Sequence, residues 1–220
     1  MIFVTKRYIF ALQKQSTNIT MPSIEDEILK RVEQKKTGTV FLTEDFFDVA
    51  NSNALRVALH RLVKSGVLFR LANGIYVKPQ ISKLLNKPIL PALDEIAKAI
   101  AKRDKARLIP TGSYALNALG LSNQVPLNAV YYTDGKARTL KINNQKIIFK
   151  KASTKKLALK DGVSMLAVLA LSEIGKDKVT ENEIQIIAAL LKKEDVAVLQ
   201  HNLKIAPLWI AEIMSKTLKE

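Results

Sequence analysis

The sequence predicts an α+β protein: an N-terminal winged helix-turn-helix followed by a mixed α/β domain that ends in a helical bundle. Three observations predict it. The run Ser52 to Pro79, SNALRVALHRLVKSGVLFRLANGIYVKP, reads as an amphipathic helix, a glycine stop and a β-ribbon turned at Asn73-Gly74. Arg138 to Ile142 and Lys146 to Lys150 flank Asn143-Asn144-Gln145 as a second hairpin. From Gly162 onward, apolar residues recur at helical spacing.

Residues 1–20 hold Ile2, Phe3, Val4, Tyr8, Ile9 and Phe10, but Lys6 and Arg7 interrupt the apolar residues and no small-residue cleavage site follows, unlike a signal peptide. They are expected to be a disordered or mis-annotated extension, with natural translation starting at Met21. The winged helix is expected over residues 21–80. Ser23 with Asp26 forms a capping-box start, and Ile24, Ile28, Leu29 and Val32 make a stripe ending near Gly38. Thr39 to Leu42 suits a short strand. Thr43 then caps a brief helix whose Phe46, Phe47 and Ala50 should pack under the next one.

That next helix is capped by Ser52, buries Leu55, Ala58, Leu59 and Leu62, and stops at Gly66. Val67, Phe69 and Leu71 should face inward along the following strand, with Ile75 and Val77 resuming that face after the turn. The outward face of the helix carries Asn53, Arg56, Val57, His60, Arg61 and Lys64, with no acid among them. Such side chains suit phosphates and guanine edges, so DNA is the implied partner.

Pro79, Pro88 and Pro91 mark a connector over residues 81–91, in which Ser82 to Lys87 suits a linker or short helix. The second domain is expected over residues 92–220. It opens with a helix containing Leu93, Ile96, Ala97, Ile100 and Ala101, followed by a short helix from Gly112 to Leu119 and a strand from Asn128 to Tyr132. Beyond the hairpin lie one strongly apolar helix around Met165 to Leu171, one capped by Thr180 with Glu183, and one or two around Pro207.

Of 220 residues, 35 are Lys or Arg and 20 Asp or Glu, for a net charge of +15. Such an excess attracts polyanions. It is uneven: residues 81–160 hold 16 basic and 4 acidic side chains, a net +12, against 12 and 7, a net +5, in residues 1–80. Lys136, Arg138, Lys141, Lys146, Lys150, Lys151, Lys155, Lys156 and Lys160 could therefore add backbone contacts to DNA, meet RNA or an acidic protein, or keep a surface soluble.

The chain has no cysteine and two histidines, His60 and His201, which removes disulfide and thiolate chemistry and makes a protein metal site improbable. No cofactor is expected. Nor is an enzyme, because the Gly112-Ser113 pair that could hold a triphosphate lacks paired carboxylates: from Tyr114 to Lys160 the only acid is Asp134. A hydrolytic Ser113 lacks the Gly-x-Ser-x-Gly elbow. A packed helix start is the better reading of this motif. No run of about eighteen uncharged apolar residues occurs, so a soluble cytoplasmic protein is expected.

Two blocks carry a resemblance: Ala54 to Pro79, ALRVALHRLVKSGVLFRLANGIYVKP, and Gly112 to Thr139, GSYALNALGLSNQVPLNAVYYTDGKART. Over most of Ser23 to Lys219 the chain resembles AbiEi-like antitoxins, regulators from bacterial abortive-infection toxin–antitoxin pairs, including the related DUF6088 group. The resemblance implies autorepression through inverted repeats in the chain's own promoter, and an antitoxin activity in the C-terminal domain. It also implies a nucleotidyltransferase-type toxin as functional partner, antagonised without a stable complex. The DNA-reading positions it implies are Asn53, Arg56, Val57, His60, Arg61 and Lys64, with Arg70, Asn73 and Lys78 on or near the wing. The alternative reading is an RNA- or protein-binding module built on residues 136–160.

Overall fold

A computed structural model describes residues 22–82, 88–124 and 126–216. The expected N-terminal extension and most of the segment Ser82 to Lys87, expected as a linker or short helix, lie outside these residues. The protein is mixed α and β, as its sequence predicts, and divides into two compact units, Met1–Arg103 and Asp104–Glu220.

In the first unit, helix α1 (Ile24–Glu33) begins at the expected capping box: Ser23 Oγ accepts from the Asp26 amide at 3.1 Å, and the Asp26 carboxylate accepts from the Ser23 amide at 3.1 Å. The helix stops five residues before Gly38, which takes a positive φ on the way into β1 (Val40–Leu42). A 3₁₀ turn, Thr43–Phe46, follows. Its leading amide, from Leu42, is satisfied by the Asp45 carboxylate at 2.8 Å and not by Thr43. Phe46 is buried against Phe41, whereas Phe47, expected beside it in the core, points outward.

Helix α2 (Ser52–Lys64) is capped one residue earlier than expected, because the extended residue is Asn51, whose side-chain oxygen accepts from Ala54 N at 3.0 Å. Leu55, Ala58, Leu59 and Leu62 are buried as predicted. Gly66, at φ +81°, follows the helix's last turn. Strands β2 (Phe69–Ala72) and β3 (Ile75–Val77) pair antiparallel, and β3 pairs with β1 on its other edge, giving the order β1-β3-β2. Within β2 the expected pattern holds at buried Leu71 and exposed Arg70, with Phe69 half-buried; ahead of the strand it is Leu68, not Val67, that is buried, and a bulge falls between Arg70 and Ala72. In the central strand β3, Tyr76 is buried along with Ile75 and Val77. At the turn, Gly74 alone takes a positive φ, +71°, so Asn73 is not left-handed as an Asn-Gly type I′ turn would require.

Two short strands, β4 (Gln80–Ile81) and β5 (Pro88–Ile89), pair antiparallel where a linker was expected. Helix α3 (Leu93–Arg103) then packs against β1, and Arg103 Nη1 donates to Glu44 Oε1 at 3.0 Å. The division between units therefore falls after Arg103, so α3, expected to open the second domain, belongs to the first.

The second unit is built on a four-stranded sheet in the order β6-β7-β9-β8: β6 (Leu108–Pro110), β7 (Ala129–Thr133), β8 (Arg138–Ile142) and β9 (Gln145–Lys151). Strand β6 has no counterpart in the sequence reading. The β8–β9 turn is tighter than expected, since Gln145 already pairs with Ile142 and Asn143 takes φ +53°. Helices α4 (Gly112–Ala118), α5 (Thr154–Ala158), α6 (Val163–Ile174), α7 (Glu181–Leu191), α8 (Val196–Ile205) and α9 (Leu208–Lys216) complete the unit. Helix α6 is apolar nearly all round and lies in the core. Its start is tied down by Glu194, whose carboxylate accepts from Ser164 N, and by buried Asn202, which donates to Ser164 Oγ at 2.7 Å.

Candidate nucleic-acid interface

The outward side chains of α2, Asn53, Arg56, Val57, His60, Arg61 and Lys64, are all exposed. Burial of the leucine stripe on one side of an amphipathic helix dictates this. Arg56, Val57 and His60 form one wall of a cleft of about 700 Å³. Arg70, Asn73 and Gly74 from the β2–β3 ribbon line it too, as do Thr43, Glu44 and Phe47 from the segment before α2. The ribbon tip is anchored there: Thr43 N donates to Gly74 O at 3.1 Å, and a side chain at position 74 would press on Thr43 Oγ1. Arg70 Nη2 donates to Asn73 Oδ1 at 2.8 Å, which steadies the guanidinium on its own hairpin.

Five of the nine positions that sequence assigns to DNA thus share one cleft. Asn53, Arg61 and Lys64 stand on α2 outside it, and Arg61 lies 3.8 Å from Glu25 Oε2 in an exposed pair of little energetic weight. Lys78 belongs elsewhere. Its Nζ donates to the carbonyls of Glu33 at 2.9 Å and Lys35 at 2.7 Å, at and beyond the C-terminal end of α1, so the amine fastens α1 to the end of β3. Among the cleft residues the sequence reading missed, Phe47 is a large apolar one. It is 56% exposed beside Phe46 at 1%, and nothing in a Phe-Phe pair says which ring turns outward. The acid in the cleft, Glu44, is paired with Arg103.

A bidentate pair braces the scaffold behind α2: Arg31 donates to the two Asp48 oxygens at 2.9 and 2.6 Å and to Glu27 at 3.2 Å. The hydrogen bond from Arg31 holds the Asp48 carboxyl below its ordinary value, and Asp48 holds the Arg31 guanidinium above its own.

The basic middle stretch divides: Lys155 and Lys156 line a cavity of about 440 Å³ together with Glu173, and Arg138, Lys141, Lys146, Lys150 and Lys151 lie on the sheet. Arg138 pairs with Asp104 and lies over the Phe149 ring; Lys151 Nζ donates to Asp134 O at 2.7 Å; Lys156 Nζ sits 3.6 Å from the Tyr132 ring centroid. Lys141 and Lys146 are exposed cross-strand neighbours in β8 and β9, and Lys150 follows on the same face of β9. Among the described residues these three form no ion pair. Lys136, Lys155 and Lys160 are also exposed.

The Gly112-Ser113 motif is a helix contact. A Cβ at position 112 would lie 2.5 Å from Glu173 Cβ, so glycine lets the start of α4 lie against α6, where Ser113 Oγ donates to Glu173 Oε1 at 3.2 Å. His201 Nε2 lies 2.9 Å from Ala158 O. Among the described residues no three His, Asp or Glu side chains cluster as metal ligands, and no helix is long and apolar enough to cross a membrane.

No curated protein matches the chain. The crystal structure of RV2827C protein from Mycobacterium tuberculosis is similar at a TM-score of 0.41 and 11% identity, covering 92% of this chain and 84% of that one. The model of a family of unknown function, DUF6088, matches residues 27–199. That span is well over half of the chain, which therefore belongs to the DUF6088 family.

Proposed function

We propose that this protein is a non-catalytic, DNA-binding autorepressor that reads repeats in its own promoter in the cytoplasm, with the first unit acting as a winged helix-turn-helix. The order α1, β1, 3₁₀ turn, α2, β2, β3, with its three-stranded antiparallel sheet, supports the winged-helix reading. The observation that carries the proposal is the shared cleft. An acid-free helix face and the arginine and asparagine of a hairpin line one concavity. A helix about 10–12 Å across suits a major groove about 12 Å wide, and a ribbon beside it can rest on the flanking backbone.

The second unit is the antitoxin part of the proposal, a role that rests on the resemblance to AbiEi-like antitoxins. Its functional partner is then a nucleotidyltransferase-type toxin. The test is a reporter driven by the chain's own promoter, together with co-expression of a neighbouring toxin. Repression lost on Arg56→Ala, with toxin rescue retained, is the expected result. A reporter insensitive to the wild-type protein overturns the repressor reading, and a toxin unaffected by it overturns the antitoxin reading.

A further inference from the structure

We infer that Phe47 and Val57 form an apolar seat for the 5-methyl group of a thymine, an inference that rests on the DNA-reading proposal and adds a base to it. The two side chains are 56% and 51% exposed, and both line the cleft between α2 and the ribbon. Their exposure is set by local structure. Phe47 follows the 3₁₀ turn, its amide donating to Glu44 O at 3.3 Å, and its neighbour Phe46 has taken the core position against Phe41. Val57 lies on α2 between Arg56 and the buried Ala58.

Around this apolar pair the cleft carries the donors Arg56 and His60 on the helix and Arg70 and Asn73 on the ribbon, and its acid, Glu44, is paired with Arg103. Donors flanking an apolar patch fit a surface that is anionic or hydrogen-bonding at its margins and apolar at one point. Of the groups that base pairs display in the major groove, the thymine C5-methyl is the apolar one, and aromatic and aliphatic side chains contact it. An apolar protein segment matches the patch but leaves the surrounding guanidinium groups without an anion. Charge complementarity therefore selects DNA.

The experiment uses the full chain and its promoter duplex, in which each dT is replaced singly by dU, removing one methyl group per probe. Wild-type protein is expected to lose about fourfold in affinity at one or two positions, the factor that burying a single methyl-sized group carries. Val57→Ala and Phe47→Ala should bind the dT duplex more weakly and the dU duplex as well as wild type does, so that the difference between the two probes closes. Promoter preference with no sensitive dT, or a dU loss that persists undiminished in both variants, overturns the seat while leaving the DNA reading intact. Variants that lose self-association or protein capture while binding DNA normally overturn it in favour of a protein dock. Equal binding of promoter and shuffled duplex by wild type refutes the DNA reading itself.

Discussion

Residues 1–80 carry a net +5 and residues 81–160 a net +12, yet the less charged region sets Arg56 and Arg70 in a cleft whose acid, Glu44, is paired with Arg103, whereas Lys155 and Lys156 of the more charged region share their cavity with Glu173. In the first, the core fixes which residues face outward: burial of Leu55, Leu59 and Leu62 forces Arg56 and His60 to the opposite side, and the Thr43–Gly74 hydrogen bond brings Arg70 and Asn73 alongside. In the second, the pleat sends Lys141, Lys146 and Lys150 to one face of the sheet and Arg138 and Lys151 to the other, and Arg138, Lys151 and Lys156 are held by Asp104, Asp134 O and Tyr132. Net charge sets long-range attraction, whereas convergence on one cleft is what sequence reading requires.

The sharpest break in this comparison separates the cleft from its foundation. Phe46→Ala should destabilise the fold by roughly 3–5 kcal/mol, as loss of a buried phenylalanine does, while Phe47→Ala stays within about 0.5 kcal/mol of wild type; denaturant melts of both variants measure it. Next comes function. Arg56→Ala is expected to reduce promoter discrimination by about 1–3 kcal/mol with little change in binding to a shuffled duplex. Replacing Lys141, Lys146 and Lys150 together with glutamine should leave that discrimination unchanged; a triple variant that loses promoter preference would move sequence reading into the second unit.

A smaller effect follows from the like charges facing each other across β8 and β9. Lys141→Glu should raise thermal stability, by about 0.2–1 kcal/mol, through an attractive cross-strand pair with Lys146, and a lowered melting temperature would contradict the register. Smallest is a pH effect. Because the Asp48 carboxyl is held below its ordinary value by Arg31, its folded form gains stability above the usual carboxylate range. That gain is lost as pH falls through the depressed value. The pair is exposed, so solvent screening keeps the effect small, and Asp48→Asn should remove this acid component from the stability profile.

What was legible in the sequence was what short-range chemistry decides. Ser23 with Asp26 and Thr180 with Glu183 form the capping boxes their spacing announces, because donor and acceptor are three residues apart. The buried stripe of α2 follows from period alone, and so does its exposed face. The cap of α2 was expected at Ser52 and lies at Asn51, because both side chains can accept from first-turn amides and the backbone decides which residue is the extended one. Long-range pairing hid the rest. Tyr76 is buried in the central strand between β1 and β2, Lys78 finds carbonyls 43 and 45 residues upstream, and α3 packs back on β1 in place of joining the unit that follows it. Of the candidate site, the helix face was readable; the bulge in β2 and the outward turn of Phe47 were not.

The central claim, that the cleft beside α2 reads DNA sequence, is tested most directly by titrating the full chain against its promoter duplex and a shuffled duplex of equal length at several salt concentrations. A promoter preference that persists as salt rises, with overall affinity falling, is the predicted result. Equal affinities that vanish together with salt would contradict it, leaving a basic protein that binds polyanions by charge alone.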